Sequence, residues 1–362
     1  MDYAAIEKLK KDRNISKILI FGTGSYWKNI MGYINNLLVE KLTDAVDFFI
    51  DNDRSVWGTE IDGIRVVDPK SVSDTKDESF ILIASSFYDE ISRQLMHMGL
   101  IEDYHFTKDI YVFCEIANDV SLKRRIIPFK DIHKGKRAFI VGNGPSLRIS
   151  DLDRLKNEIT FGCNKIYLAF DQTDWRPTYF AAIDSVFIED CAESIKAIEC
   201  KKFLDIEAFR IFGGFIDDIV YLKHIGPGCI EDKIEYGFPV DIANGIYGGW
   251  TVVYTNLQIA FYMGITEVYL LGVDFNYKIP NPTGELSKYG EVILRGGHEM
   301  NHFHKDYRKE GERWTLPQLD KQYKAFLCAK KTFDDNNRRI YNASRETELD
   351  IFPLVNFDSI ID

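Results

Sequence analysis

The alternation of apolar and polar residues predicts strands and helices that follow one another along the chain. Helical periodicity is found at about 25–38 and at 88–98. Strands separated by helices are typical of a parallel, doubly wound sheet. We therefore predict a small Rossmann-like domain over residues 1–125. Its predicted strands are short runs rich in β-branched and aromatic side chains, at 17–21 (KILIF), 45–50, 64–67 and 80–84.

Residues 124–136 form a basic stretch with a proline and a glycine, which is typical of a linker. Beyond this stretch the alternation of predicted strands and helices resumes. Segments at 252–263 and 317–336 have helical character. A second Rossmann-like domain with a parallel sheet is therefore predicted over residues 126–362, and the fold class is α/β. Its predicted strands lie at 138–141, 159–163, 178–183, 267–273 and 339–342.

A glycine-rich turn follows the first strand of the second domain, in the sequence RAFIVGNGPS at 137–146. Gly142 and Gly144 let the backbone take a positive φ and approach a ligand closely. The helix N-terminus behind such a turn offers free N–H groups and a positive dipole end, which suit a phosphate. The spacing departs from the dinucleotide fingerprint, because Pro145 and Ser146 stand where that pattern runs on to its third glycine. Phosphate or nucleotide binding is the favoured interpretation, and a plain tight turn is the alternative.

Small polar residues end three predicted strands of the second domain, at Asn143, Asn164 and Asp184. The carboxyl ends of neighbouring parallel strands form the ligand crevice of an open sheet. An asparagine reads an amide or carbonyl edge, and a carboxylate suits ribose hydroxyls. Each residue alone is better explained as a turn or a helix cap, but the three together favour a ligand site.

The first domain has a glycine turn of its own. Gly22 and Gly24 follow its first strand, and Asp51 and Asp53 follow its second. An acid after the second strand holds a ribose hydroxyl in dinucleotide-binding Rossmann domains. Trp27, however, stands where that fingerprint has a third glycine for close packing. A structural or docking role is therefore predicted for this domain, with a nucleotide site as the alternative.

Residues 278–300 show no periodicity and combine prolines, glycines and charges. A long stretch of this kind inside a compact domain indicates a lid or a disordered loop. The densest histidine cluster of the chain, His298, His302 and His304, lies at its end. No cysteine or HExxH order accompanies these histidines, so a metal site is disfavoured. An acid–base role fits better, since histidine titrates near neutral pH, and a solvated loop is the alternative.

Composition excludes several classes of protein. The formal net charge of −11 disfavours a nucleic-acid partner. Six scattered cysteines without a CxxC pair indicate reduced thiols in a cytoplasmic protein. The charged N-terminus does not look like a signal peptide, and no apolar run is long enough to span a bilayer. Contact with a membrane is therefore expected to be peripheral at most.

Several motifs together resemble a known group of enzymes. FIVGNGPSL, the strand end Cys163-Asn164, MGITEVYLLGVDF and NHFHKDY occur in this order. They are similar to bacterial sialyltransferases that use CMP-activated nonulosonic acids, and to the related domain of motility-accessory (Maf) flagellin glycosyltransferases. The pattern is shared with 6-hydroxymethylpterin diphosphokinase MptE-like proteins. The resemblance covers about residues 129–362 and implies a sialyltransferase-like variant of the GT-A type with a lid. The first domain resembles small Rossmann-like modules found beside sugar-modifying enzymes.

The resemblance implies roles for particular residues. Asn164 would face the cytosine, and Asp184 stands where sialyltransferases tend to carry an asparagine. His302 or His304 would take the acceptor proton, with His302 favoured because it matches the first histidine of the family's lid-end motif. The groups stabilising the departing phosphate would be Lys305 together with Tyr277 or Tyr307. The whole set expected to bind the nucleotide is Gly142, Asn143, Gly144, Pro145, Ser146, Asn164, Asp184, Gly249, Thr251, Asp274 and Tyr277.

The function expected from the resemblance is transfer of a nonulosonic-acid-type sugar from a CMP-activated donor to a glycan or protein hydroxyl. No cofactor or metal is required on this interpretation. The protein would be cytoplasmic and would bind no nucleic acid, and its contact with the membrane would be peripheral at most, at the inner face. One alternative is a pterin pyrophosphoryl transferase that uses ATP and Mg²⁺ held by Asp184 and Asp274. A second is a non-catalytic nucleotide-binding module. The donor sugar, the acceptor and a homo-oligomeric state stay open.

Overall fold

The computed structural model describes residues 3–226, 237–279, 284–287, 292–297 and 300–361. It divides into two compact units, Met1–Arg125 and Ile126–Asp362. The helices of the first unit are α1 (Tyr3–Asp12), α2 (Ser25–Leu37), α3 (Leu42–Ala45), α4 (Tyr88–His97) and α5 (Ile110–Ile126). Its strands are β1 (Lys17–Phe21), β2 (Phe48–Ile50), β3 (Glu60–Ile61), β4 (Ile64–Val67), β5 (Ser79–Ile83) and β6 (Phe106–Thr107).

The first unit is a six-stranded sheet in the order β3-β4-β2-β1-β5-β6. All neighbouring pairs are parallel except β3 with β4. Apolar side chains of β1 alternate between two buried clusters, because successive residues of a strand point to opposite faces. The sheet is therefore covered on both faces, as parallel sheets usually are.

The second unit contains the longer helices α10 and α11. Its helices are α6 (Ile149–Asp153), α7 (Ser185–Asp190), α8 (Ala192–Lys196), α9 (Glu207–Phe212), α10 (Val252–Tyr262), α11 (Leu319–Asp335) and α12 (Phe357–Ile360). Its strands are β7 (Arg137–Val141), β8 (Thr160–Cys163), β9 (Tyr179–Ala182), β10 (Lys201–Asp205), β11 (Ile219–Leu222), β12 (His224–Gly226), β13 (Ile246–Tyr247), β14 (Glu267–Leu271), β15 (Ile293–Arg295), β16 (Arg313–Thr315) and β17 (Arg339–Asn342).

Seven parallel strands form the main sheet of the second unit, in the order β11-β10-β9-β8-β7-β14-β17. Chain order runs outward from β7 to β11 and then resumes on the other side with β14. The strand order thus reverses between β7 and β14, and such a switch point opens a crevice at the carboxyl ends of the strands. Every residue of α10 is buried, including the polar Thr255, Asn256 and Gln258. The predicted α/β class with two parallel sheets is confirmed.

Part of the predicted lid has regular structure. β15 pairs antiparallel with β16, so residues on either side of the histidine cluster are joined. The Asn301 side chain donates to the Lys278 carbonyl at 2.8 Å and accepts from the Lys278 N–H at 2.7 Å. Other positions of the predicted lid, His298 among them, lie outside the described residues.

The described cysteines are free, and Cys229 lies outside the described residues. No helix in the described parts of the chain combines the length and apolar character needed to cross a membrane.

Candidate functional site

A cavity of about 830 Å³ lies at the carboxyl edge of the seven-stranded sheet, at the switch point between β7 and β14. Most residues that the sequence predicts for the site line this cavity: Gly142, Asn143, Gly144, Pro145, Asn164, Asp184, Thr251, Asp274, Tyr277, His302 and Tyr307. Four predicted residues are not part of its lining: Ser146, Gly249, His304 and Lys305.

The glycine turn after β7 is shaped by close packing. A Cβ atom added to Gly142 would lie 2.4 Å from the Gly272 carbonyl oxygen, and one on Gly144 would lie 2.5 Å from the Asp274 carboxylate. Neither Gly142 nor Gly144 takes a positive φ, so the expected reason for these glycines is wrong. Their missing side chains let the ends of β7 and β14 approach each other.

The predicted phosphate seat of this turn is occupied by a carboxylate. The Ser146 N–H donates to Asp274 Oδ2 at 2.7 Å, and the Ser146 hydroxyl donates to Oδ1. The Gly142 and Gly144 N–H groups donate to carbonyls of Leu271 and Gly272. Burial raises the pKa of Asp274, and the bonds from Ser146 oppose that shift. The N–H groups of these three turn residues therefore already have acceptors, which the end of β14 and the residues after it supply.

Two asparagine side chains bring unpaired oxygens to the cavity. Asn143 donates through Nδ2 to the Cys163 carbonyl at 3.0 Å, which fixes the orientation of its amide. Its Oδ1 is buried and has no hydrogen-bond partner among the described residues, and the same holds for Oδ1 of Asn164. Asn164 also takes a positive φ of 48°, which asparagine tolerates better than most residues. Both asparagines line the cavity, and their two buried oxygens are acceptors without a donor among the described residues.

Asp184 caps helix α7, which is the alternative that the sequence left open for this residue. One carboxylate oxygen accepts the N–H groups of Val186 and Phe187 at 2.9 and 3.2 Å, and the other accepts the Thr315 hydroxyl at 2.8 Å. Because Asp274 is bonded by Ser146, both carboxylates that were expected to hold Mg²⁺ already have donors. Among the residues that the structure describes, no cluster of three or more His, Cys, Asp or Glu could hold a metal ion.

The end of the lid stacks two aromatic rings at the cavity. The rings of His302 and Tyr307 are nearly parallel, with centroids 3.7 Å apart, and the Tyr277 ring lies 6.3 Å from that of His302. Burial, with the nearby charges of Arg308 and Lys165, lowers the pKa of His302 to about 3. Burial raises the pKa of Tyr307. Near neutral pH the site therefore holds an uncharged imidazole against an uncharged phenol.

The other predicted members of the lid end lie elsewhere. His304 accepts the Asp306 N–H through Nδ1 at 3.2 Å, and Lys305 is exposed. The structure thus places His302 at the cavity and His304 outside it. The cation that reaches the cavity from this segment is Arg308, which the sequence reasoning missed although it directly follows Tyr307.

The helix that follows residues 245–251 (GIYGGWT) has its N-terminus at the cavity. Thr251 caps α10, and its hydroxyl accepts the Val253 N–H at 3.3 Å. Gly249 has a φ of 57° and lies against the Tyr254 ring. The positive dipole end at the cavity therefore belongs to α10 and not to the short α6 behind the glycine turn.

An acidic–basic pair lies at the other end of the cavity and was also missed. Asp205 ends β10, and its Oδ2 lies 3.1 Å from Nδ1 of His224, the first residue of β12. Burial raises the pKa of Asp205, and the neighbouring His224 opposes that shift. The sequence did contain a signal for Asp205, because a polar residue at the end of a strand was the pattern that pointed to Asn164 after β8. Asp205 was missed because β10 itself was not predicted.

Comparison with known proteins agrees with the resemblance seen in the sequence. Residues 114–280 match the model of the 6-hydroxymethylpterin diphosphokinase MptE-like family, and residues 14–106 match that of C2185-like N-terminal domains. The chain resembles the MptE-like family. The predicted resemblance is therefore confirmed. No match to a curated protein sequence was found.

Two solved structures are similar to the chain at low identity. The Maf glycosyltransferase of Magnetospirillum magneticum has a TM-score of 0.36 and 13% identity, with 99% of this chain and 63% of that chain covered. The sialyltransferase CstII of Campylobacter jejuni, solved with the substrate analogue CMP-3FNeuAc, has a TM-score of 0.33 and 18% identity. That alignment covers 60% of this chain and 86% of the sialyltransferase. The present chain thus spans less than two thirds of the Maf chain.

Proposed function

We propose that the chain is a glycosyltransferase that moves a nonulosonic-acid-type sugar from a CMP-activated donor to a hydroxyl acceptor. The observation that carries the proposal is the pair of unpartnered oxygens on Asn143 and Asn164 in the switch-point cavity. An acceptor pair requires donors from the ligand, and the exocyclic amino group of cytosine is such a donor. Uracil has a carbonyl oxygen in that place and would leave the Asn oxygens unpaired.

The proposed reaction uses His302 as the general base. The acceptor hydroxyl would lose its proton to the imidazole, its oxygen would bond to the anomeric carbon, and the bond from that carbon to the phosphate would break. CMP leaves with the electron pair on its phosphate oxygen. The hydroxyl groups of Tyr277 and Tyr307 would stabilise that charge. The bound donor would also raise the pKa of His302, since its negative charge offsets the nearby cations.

The acceptor would enter at the end of the cavity that is lined by Asp205 and His224. Three strand spacings separate the ends of β7 and β10, a distance of roughly 14 Å. A nucleotide at the switch point leaves this end free for a polyhydroxylated acceptor, such as a glycan or a protein hydroxyl. We further propose that no metal cofactor is needed and that the protein acts in the cytoplasm, with peripheral membrane contact at most.

A pyrophosphoryl transferase acting on a pterin is the second candidate, favoured by the match of residues 114–280 to the MptE-like family. It would require Mg²⁺ near a triphosphate. The carboxylates of Asp184 and Asp274 would have to give up their present donors to bind the ion. A nucleotide-binding module without catalysis is the third candidate, and dispensable lid residues would favour it.

A thermal-shift panel separates these candidates, because a ligand stabilises the native state according to its affinity. The panel contains CMP, UMP, CDP, UDP and ATP, each with and without Mg²⁺. The glycosyltransferase proposal expects the largest shift with cytidine nucleotides and no dependence on Mg²⁺. A shift seen with ATP and Mg²⁺ but not with CMP would overturn it in favour of the pterin enzyme.

A further inference from the structure

Two buried N–H donors at the lid end have no hydrogen-bond partner among the described residues. They are Nε of Arg308 and Nε1 of Trp314. The Trp314 residue is 4% exposed, and the Arg308 side chain is 17% exposed. The guanidinium carbon lies 4.4 Å from the centre of the Trp314 ring and 5.7 Å from that of Tyr307. Both donors therefore lie in one aromatic corner of the protein.

The positive charge in this corner is only partly neutralised. The Arg308 guanidinium approaches the Glu312 carboxylate no closer than 4.0 Å. That same carboxylate pairs closely with Lys165, which is 6% exposed, and also accepts the Lys309 N–H at 3.0 Å. The Glu312 carboxylate thus serves both the buried Lys165 and the partly buried Arg308. Asp184 and Asp190 also line the recess beside Arg308, and Asp190 pairs with Arg313.

The corner faces the cavity and is held in place by regular structure. Arg308 and Trp314 both line the 830 Å³ cavity, and both also line a small recess of about 50 Å³ beside it. Trp314 is the central residue of β16 and pairs with Leu294 of β15. Because the strand pair fixes the indole, the two donors keep their positions without a ligand.

We propose that Arg308 and Trp314 form an anion subsite that binds a phosphate or carboxylate group of the ligand. Guanidinium and indole N–H groups can only donate, so the group that satisfies them must be an acceptor. The Arg308 guanidinium favours an anionic acceptor, because a guanidinium binds planar carboxylates and phosphates well. The identity of the ligand as a CMP-sugar rests on the proposed function, whereas the anion subsite does not.

The test compares CMP with cytidine by titration calorimetry on the full chain. In the Arg308→Gln variant, affinity for CMP is expected to fall on the order of ten- to a hundredfold, as for the loss of a charge-assisted bond, while affinity for cytidine stays unchanged. Trp314→Phe keeps an aromatic ring and removes the N–H donor. In this variant a smaller loss of affinity is expected for CMP, and none for cytidine. An equal loss for CMP and cytidine, or no loss, overturns a phosphate subsite.

The neighbouring Arg313 supplies a matched control. Its guanidinium bonds to Asp190 at 2.6 Å, and Arg313 lines the small recess but not the 830 Å³ cavity, so Arg313→Gln removes the same charge outside the cavity. Affinity for CMP should be unchanged in this variant. Equal losses in Arg308→Gln and Arg313→Gln would reduce the effect to general surface charge and overturn the subsite.

A second arm distinguishes phosphate from carboxylate as the bound group. Free N-acetylneuraminate has a carboxylate that its methyl ester lacks. If Arg308→Gln lowers the affinity for the acid but not for the ester, the subsite binds the carboxylate. If the wild type binds no cytidine compound, the proposed function fails, and pyrophosphate becomes the probe. Weaker binding of pyrophosphate by Arg308→Gln would then still support the subsite. No difference between wild type and variant with any of these anions overturns it.

Discussion

The two units solve the same packing problem with the same kind of turn. In the first, the Asp51 carboxylate accepts the Thr23 N–H and hydroxyl at 2.9 and 2.6 Å. In the second, Asp274 accepts the same two groups of Ser146. A Cβ on Gly22 would lie 2.7 Å from the Ala84 carbonyl oxygen, much as one on Gly142 would meet Gly272. A glycine turn closed by a carboxylate is thus a way to bring strand ends together, and it does not by itself indicate a ligand.

What differs is the surroundings of each turn. Trp27 of the first unit is fully buried in α2, with its ring 5.0 Å from that of Phe49 and its N–H bonded to Asp62 at 3.2 Å. In the second unit the turn opens on the cavity, and the unpaired donors and acceptors lie around it. A functional site is therefore better recognised by unsatisfied polar atoms than by the turn motif.

The largest expected effect concerns chemistry in the second unit alone. His302→Ala should lose transfer activity on the order of 10²–10⁴-fold, as expected for a general base, while affinity for CMP changes little. His304→Ala should stay active, since His304 does not line the cavity. Steady-state kinetics with a CMP-nonulosonate donor checks both. Loss of activity in His304→Ala but not in His302→Ala would reverse the assignment.

The next effect compares the second glycine of each turn. Gly144→Ala should destabilise the second unit by about 3 kcal/mol, because the new methyl group meets the Asp274 carboxylate and the Gly272 carbonyl. A Cβ on Gly24 meets nothing within 4 Å, so Gly24→Ala should cost no more than about 1 kcal/mol as a change of helix cap. Urea unfolding measures both. Equal costs would contradict the packing explanation.

The acid sensitivity of the second unit should depend on His302. Its pKa is about 3 in the folded chain and about 6.5 for an unperturbed histidine, so the unfolded state binds the proton first as pH falls. Stability from this group is present above about pH 6.5 and is lost as pH falls towards about 3. His302→Asn should therefore lose less stability than the wild type between about pH 7 and 4, measured by urea unfolding. Parallel curves for the two proteins would show that His302 is not desolvated.

The smallest effect concerns recognition of the base. Asn164→Gly keeps a backbone that tolerates the positive φ and removes the amide, so affinity for CMP should fall roughly three- to tenfold, the value of about one hydrogen bond. Affinity for UMP should hardly change, because its carbonyl oxygen gains nothing from the Asn164 oxygen. Calorimetry with both nucleotides checks this, and an equal loss for the two would contradict the assignment.

Local patterns predicted several strands with the bounds that the structure shows. Runs at 17–21, 64–67 and 339–342 coincide with β1, β4 and β17. β10 was missed because Lys201 and Lys202 make its start look polar. Lys202 is in fact completely buried, and its ammonium group pairs with Asp218. Missing this strand also hid Asp205, the polar residue at its end.

Partners distant in sequence explain the remaining errors at the site. The place of the glycine turn was predicted, but its acceptor Asp274 follows β14, far along the chain, so the pairing of the turn's N–H groups could not be seen locally. Arg308 was passed over for Lys305, because the order of residues in a loop does not reveal which side chain faces inward. Only the fold shows that β16 holds Trp314 beside this arginine.

The carboxylate that closes the turn after β7 affects where the anionic group of a ligand can bind in the cavity. Asp274 is 3% exposed at the switch-point end, where a phosphate in the place of the Ser146 contact would meet a like charge. Arg308 lies at the lid end. We therefore expect an elongated ligand with one anionic end to direct its charge away from Asp274 and towards Arg308. The bond to be broken then comes to the segment that carries His302, whichever sugar the ligand bears.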